Sequence, residues 1–447
     1  MGFWFKYNLS LVFNNGYVFD SGMMNSNDID GVLILSIYIF LTVLLANFTS
    51  KKNNYDKFNI FNKKNIISKI YFRFKYLFIA SFIIFILFTG FINYHYKIYI
   101  KGLIFENDLN FIFVSLIKWL LLYGLVVLSC FILNQEIRKK NNNHIILITF
   151  LIFFEMFVSF TSMLSRSIIL FALPFLYSFI IYQSNNSKFI KNYFKIIIIY
   201  FLFTLLSIYI SNHLRLFHVN KLKQEVKVQY QKLNEPLSET NDNSEVNLNK
   251  NNFENAKKFD FQINEILTEE NTTKKIDTKQ VTSFILINRW VGIDSLINIS
   301  RSDNLSFEIF FDALNEQKSK VGNSFYETKF NLENKKPSFY SNNIYVKGNT
   351  LPGLFTFLYY SGNKIFLLFS IFIIVSFFIF LEKKIYYISN KNFFFIAFFS
   401  HCIANRIFSF GYAPKDTYLF IFSLLLSVMG IYFLETSRFD KIFKSLK

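Results

Sequence analysis

Lys364-Ile365-Phe366-Leu367-Leu368-Phe369-Ser370-Ile371-Phe372-Ile373-Ile374-Val375-Ser376-Phe377-Phe378-Ile379-Phe380-Leu381 is the stretch that decides the fold class. After Lys364 it carries no charge until Glu382, and its length approaches the roughly 20 residues that a helix needs to cross a bilayer. Similar apolar runs recur near 31–49, 76–94, 111–133, 145–163, 167–182, 194–211, 392–410 and 416–435. The pattern predicts an all-α polytopic membrane protein of about nine transmembrane helices (eight to eleven). Nine spans put the N-terminus outside and the C-terminus inside. Residues 1–30 read as an interfacial or extracytoplasmic lead-in, with Trp4 and Tyr7 at headgroup depth; a tenth span hidden there would move only the N-terminus.

Composition agrees. Of 447 residues 52% are hydrophobic and 20% aromatic, including 62 Phe. The joint abundance of Phe, Ile, Asn and Lys also fits codon bias toward A and T, so frequency alone gives no aromatic a functional role. The net charge of +18 would suit a nucleic-acid binder, but its placement argues otherwise. Segments assigned to the cytoplasm hold eight Lys/Arg in 50–75, three each in 134–144, 183–195 and 382–391, and four in the tail. The short segments opposite hold Lys6, Lys97, Lys101, Arg166 and Lys415. That asymmetry encodes orientation, and no nucleic-acid partner is expected.

Two cysteines, Cys130 and Cys402, both fall in predicted spans, which leaves neither a disulfide framework nor a Cys-based zinc site. The N-terminus does not read as a removable signal peptide. No Gly-rich phosphate loop with Lys, His-Glu-x-x-His helix or clustered Asp motif occurs, so no metal, cofactor or nucleotide hydrolysis is expected.

Three regions follow: a membrane bundle at 1–211, a large extracytoplasmic loop at 212–350, and a C-terminal membrane bundle at 351–447. The loop balances 19 Lys/Arg against 18 Asp/Glu. Its first half, about 220–280, is poor in large apolar residues and reads as a surface excursion. Apolar character returns through Asn288-Arg289-Trp290-Val291-Gly292-Ile293-Asp294. Ser306–Gln317 then spaces Glu308, Asp312 and Glu316 four apart, with Phe307, Phe310, Phe311 and Leu314 on other faces, which predicts an amphipathic helix. Thr350-Leu351-Pro352-Gly353 and Ser361-Gly362-Asn363 bracket a short re-entrant or interfacial helix before the span at 364.

Several side chains can carry chemistry. Arg166, on an outer turn, either snorkels to lipid phosphate or clamps a substrate phosphate with its bidentate fork. Arg289 either stacks on Trp290 and pairs with a loop carboxylate such as Asp294, or binds an anionic substrate. Arg215, Arg301 and Lys364 are candidates of the same kind. Glu155 lies mid-span, and a carboxylate there normally finds a partner. Pairing with His401 or Arg406, on the segment that also carries Asn405, is expected to hold the bundle together; the rival reading is a buried relay.

With these residues in hand, the chain resembles the O-antigen polymerases, the integral-membrane oligosaccharide repeat-unit polymerases. The likeness runs through Met163-Leu164-Ser165-Arg166-Ser167-Ile168-Ile169, Arg289-Trp290-Val291-Gly292-Ile293-Asp294, Leu351-Pro352-Gly353, Phe357-Leu358-Tyr359-Tyr360-Ser361-Gly362 and Phe410-Gly411-Tyr412-Ala413-Pro414. It departs at the N-terminus, where a first span is not obvious. The resemblance implies a GT-C-like, metal-independent glycosyltransferase of the bacterial inner membrane with its large loop in the periplasm. Its substrates would be undecaprenyl-pyrophosphate-linked oligosaccharides, with a chain-length regulator and a flippase as further partners alongside membrane lipid. Arg166, Arg289, Arg215, Arg301 and Arg406 would bind pyrophosphate, and Trp290, Tyr359, Tyr360 and Lys364 would line the substrate. Arg289 and Asp294 would be catalytic, Asp294 ranking first as base ahead of Glu308, Asp312, Glu327, His213 and His218. The rivals are an O-antigen ligase, which passes finished glycan to lipid A-core, and a lipid-linked oligosaccharide transporter.

Overall fold

A computed structural model describes residues 17–18, 22–23, 26–50, 66–101, 103–105, 109–138, 142–165, 168–184, 190–234, 293–316, 324–330, 340–341, 344–346, 352–409 and 414–435. The fold is helical. We label its helices α1 (Ser26–Ser50), α2 (Ile66–Arg73), α3 (Lys75–Tyr96), α4 (Phe111–Arg138), α5 (Asn142–Ser162), α6 (Ile168–Ser184) and α7 (Ile190–Asn234). After the loop come α8 (Ile293–Ser300), α9 (Phe307–Leu314), α10 (Phe325–Lys329), α11 (Leu354–Leu358), α12 (Lys364–Ile388), α13 (Phe393–Ile403) and α14 (Pro414–Glu435). Strands among the described residues are two or three residues long: Tyr17–Val18 pairs with Gly22–Met23, and Ile344–Val346 lies between Leu103–Phe105 and Tyr340–Ser341.

Among the described residues six helices are long and apolar enough to cross a membrane: Gly31–Ser50, Lys75–Tyr96, Phe111–Arg138, Phe194–Arg215, Lys364–Ile388 and Thr417–Glu435. These match six of the nine expected segments. Two more expected segments are the shorter apolar helices Ile146–Ser162 and Phe393–Ile407. The remaining one is α6, of 17 residues, with Pro174 inside it. Helices α5 and α13 lie well inside the bundle. Helix α5 touches α3, α4, α6 and α7 and buries Ile148, Ile152, Phe153, Met156 and Phe160. Helix α13 packs on α4, α6 and α12 and buries Phe394, Phe395, Phe398 and Phe399. A helix surrounded by protein need not match the bilayer's thickness as a lipid-facing one must.

Helix α3 meets α5 through a small residue, as membrane helices that pack closely tend to. A Cβ on Gly90 would lie 2.6 Å from Val158 Cγ1. Gly90→Leu is therefore expected to push α3 off α5 and lower the thermal midpoint of the detergent-solubilised protein. An unchanged midpoint would mean that the two helices do not rely on this contact.

The expected boundary at 211 is not a break. Helix α7 continues through it to Asn234, 45 residues in all and about 67 Å long. The amphipathic helix expected at Ser306–Gln317 is α9, capped by the Ser306 hydroxyl, which accepts the Ile309 N–H at 3.2 Å. The short helix expected before the span at 364 is α11, continued by a 3-10 turn at Tyr359–Ser361. Gly362 ends it with φ of 69°, a conformation costly for any other residue, and a Cβ there would also sit 3.0 Å from Leu305 Cβ. Asn363 then caps α12 by accepting the Ile365 and Phe366 N–H groups at 2.9 and 3.1 Å.

Candidate functional site

Helix α11 is a hub at one end of the bundle. It touches α8, α9, α12 and the π-helical turn Ala404–Ser409 that extends α13. Ser295 Oγ of α8 and Thr356 Oγ1 of α11 lie 3.1 Å apart, both buried. The Ser306 N–H donates to the Tyr360 carbonyl at 3.0 Å, fixing the start of α9 on the turn after α11. Thus the helix carrying Asp294, the pair Tyr359 and Tyr360, Lys364 and the turn carrying Arg406 converge on one short element.

A second π-helical turn, Leu120–Gly124, interrupts α4. Such turns are frequent at functional sites because they re-aim side chains. Trp119, just before it, anchors to α14 by donating to the Ser423 carbonyl and to Ser427 Oγ, both at 3.2 Å. Inside the turn, a Cβ on Gly124 would fall 2.8 Å from the Trp119 ring. Tyr123 is 7% exposed, with Phe398 and Phe420 rings at 6.5 and 6.1 Å. Arg406 and Tyr99 both contribute to the electrostatic surroundings of the Tyr123 phenol. Lys118, one residue before Trp119, holds its Nζ 5.8 Å from the centroid of the Tyr99 ring. Tyr99 is in turn fixed by Asn93, whose Oδ1 accepts the Tyr99 N–H at 2.8 Å. The Lys101 N–H reaches the Met163 carbonyl at 3.0 Å, so the loop after α3 abuts the turn between α5 and α6.

Two cations, Arg406 and Lys118, and two phenols, Tyr123 and Tyr99, are linked across three parts of the chain by the electrostatics of Tyr123 and the Lys118–Tyr99 contact. Arg406 is half-buried and makes no ion pair with a carboxylate among the described residues. An arginine so placed, with its fork unspent, suits a phosphate-bearing ligand.

The other expected site residues distribute unevenly. Arg166, Arg289 and Trp290 lie outside the described residues, as does the side chain of Asp294, whose backbone forms the first turn of α8. There a carboxylate also stabilises the helix through its dipole. Arg215 ends the candidate span Phe194–Arg215 and is half-buried. Arg301 follows α8 and is exposed, its N–H on the Ile297 carbonyl at 3.2 Å. Lys364 is exposed at the start of α12, and Tyr359 is half-buried. Tyr360 corrects the expectation of a substrate-lining ring. It is 1% exposed, stacked on Phe330 at 5.0 Å and packed on Phe357 at 5.4 Å, so it belongs to the core of the cap. Burial, with Tyr326 and Glu316 nearby, pushes its hydroxyl well above the usual tyrosine range. Among the rival bases, Glu308, Asp312 and His213 are exposed, and the side chains of Glu327 and His218 lie outside the described residues.

Glu155 is the second correction. Neither His401 nor Arg406 pairs with it. Its Oε1 accepts from Ser159 Oγ at 3.0 Å, one turn along the same helix, while Oε2 is buried without a hydrogen-bond partner. His401 sits at the edge of Phe171, ring centroids 6.3 Å apart, and its Nε2 also lacks a hydrogen-bond partner.

The bundle is instead tied at the end away from α11, by groups not singled out in the sequence. Glu136, fully buried on α4, accepts from Tyr71 at 2.8 Å and from Lys75 Nζ at 2.7 Å. Glu435, 3% exposed on α14, takes Arg138 at 3.0 Å, Asn134 at 2.6 Å and Asn392 at 3.3 Å. Lys118 was equally unmarked, although a lone ammonium in an apolar run is itself a signal of function or burial. No three His, Cys, Asp or Glu side chains among the described residues converge to hold a metal ion. No known family model, curated protein or solved structure matches the chain.

Proposed function

We propose that the chain is a membrane glycosyltransferase of the repeat-unit polymerase kind. It would move a growing glycan from undecaprenyl pyrophosphate onto the non-reducing end of a second undecaprenyl-pyrophosphate-linked unit, at the periplasmic face of a bacterial inner membrane. The observation that carries this reading is Arg406: a half-buried guanidinium with no carboxylate partner among the described residues, beside Tyr123 and under the α11 hub. A lipid-linked pyrophosphate would enter sideways from the bilayer, its tail along apolar helix faces and its charge at Arg406 and Lys118. Counting α5, α6 and α13 as spans gives nine, the number that the apolar runs of the sequence predict.

The reaction balances without an outside reagent. The acceptor hydroxyl oxygen bonds to the donor's anomeric carbon as the bond from that carbon to the pyrophosphate oxygen breaks. The leaving group departs with the electron pair, and protein cations hold its developing charge. A carboxylate takes the acceptor proton; Asp294 is assigned this role because α8 docks on α11. Arg289 and Arg166 remain further cations for the same phosphates.

Deleting the gene in its source strain and running a lipopolysaccharide ladder gel tests the proposal. Core with a single repeat unit and no ladder is the expected result. Bare core with accumulating lipid-linked polymer would make the chain a ligase instead, and an unchanged ladder would exclude both.

A further inference from the structure

Helix α9 has three sides. Phe310 and Ala313 face the protein, at 7% and 0% exposure. Glu308, Asp312 and Asn315 are exposed on the opposite polar side. Between the two, Phe307 and Phe311 lie 43% and 57% exposed. A cap helix in water gains nothing by presenting two phenyl rings, and exposed aromatics in contiguous patches mark an interaction surface.

What α9 rests on indicates the partner. The rings of Phe307 and Phe310 each lie 5.2 Å from Phe366, the third residue of α12. Only 11% of the apolar window of α12 is buried, and its outer turns present Ile365 and Phe369 at 79% and 62% exposure. That surface has the apolar character of one that meets lipid. The uncharged stretch of α12 between Lys364 and Glu382 extends about 25 Å, close to the roughly 30 Å hydrocarbon layer, so its charged first residue Lys364 and the turn it opens lie at headgroup depth. The exposed rings of α9 therefore continue the lipid-facing surface of α12 at the depth where amphipathic helices insert.

We propose that α9 is an interfacial helix, seated in the outer leaflet by Phe307 and Phe311 with Glu308 and Asp312 turned to water. It would fasten the loop to the bilayer and hold α11 at the height where a lipid headgroup arrives. The placement stands whether or not the chain is a polymerase.

Nitroxide scanning of the full chain in nanodiscs of phosphatidylethanolamine and phosphatidylglycerol tests it. The native Cys130 and Cys402 are 0% and 1% exposed, and the parent protein serves as the labelling blank. Labels at Phe311→Cys are expected to be open to oxygen and closed to a nickel chelate, with the reverse at Asp312→Cys. Chelate access at 311 would overturn the proposal and place the helix in water. Shielding from both reagents would overturn it in favour of a protein contact; dipolar broadening that grows with protein density would mark that contact as a second copy. If Phe311→Cys does not reconstitute as a monodisperse protein, Phe307→Cys decides in the same way.

Discussion

Arg406→Ala is expected to reduce a complemented deletion strain to core carrying a single repeat unit. Loss of one group that stabilises developing charge costs on the order of 10²–10³ in rate, enough to erase a ladder. Arg406→Lys would keep the charge but lose the fork, and is expected to give short, sparse ladders. Because Arg406 has no ion pair among the described residues, the alanine variant should keep the parent's thermal midpoint and membrane abundance. A loss of both folding and ladder would make Arg406 a packing residue. A full ladder from Arg406→Ala beside none from Arg289→Ala would move the clamp to the loop. Lys118→Ala, from the other end of the same cluster, should resemble Arg406→Lys.

Glu435→Ala is expected to be the most destabilising single change at the end of the bundle away from α11. It removes one carboxylate on which Arg138, Asn134 and Asn392 converge, leaving a buried guanidinium without its counter-charge and the Asn134 amide without this acceptor, while Asn392 keeps the Cys130 carbonyl. Breaking a buried ion pair from one side typically costs about 3–5 kcal/mol, since the remaining charge is stranded out of water. Glu435→Gln should fall between the alanine variant and the parent, because an amide oxygen still accepts from Asn134. Thermal unfolding in detergent measures both. A midpoint for Glu435→Ala within error of the parent would mean that water reaches Arg138 and the network does not hold the bundle.

Much of the architecture was legible in the chain itself. Uninterrupted apolar runs such as 364–381 fix where helices cross, because hydrocarbon leaves no other way to satisfy backbone polar groups. Pro352-Gly353 and Ser361-Gly362-Asn363 announced α11, and the four-residue spacing of Glu308 and Asp312 announced α9, since both are written in neighbouring residues. Charge asymmetry likewise needs only the order of residues along the chain.

Which apolar helix is central was not legible. Lipid tails and a protein interior are equally apolar, so α5 and the lipid-facing α12 look alike in composition. Nor could Glu155 be assigned its acceptor role with Ser159, a partner one turn away, rather than the distant cation expected of it. Asn134 and Glu435 stand 301 residues apart, and Trp119 reaches across 308 to Ser427. No periodicity reports such pairs. The sequence by itself determined that this chain is built of membrane-crossing helices and where it breaks for a polar cap. Only the tertiary structure decided which charges meet, because a polar group buried among helices takes whichever partner packing brings within reach, not the one nearest in the sequence.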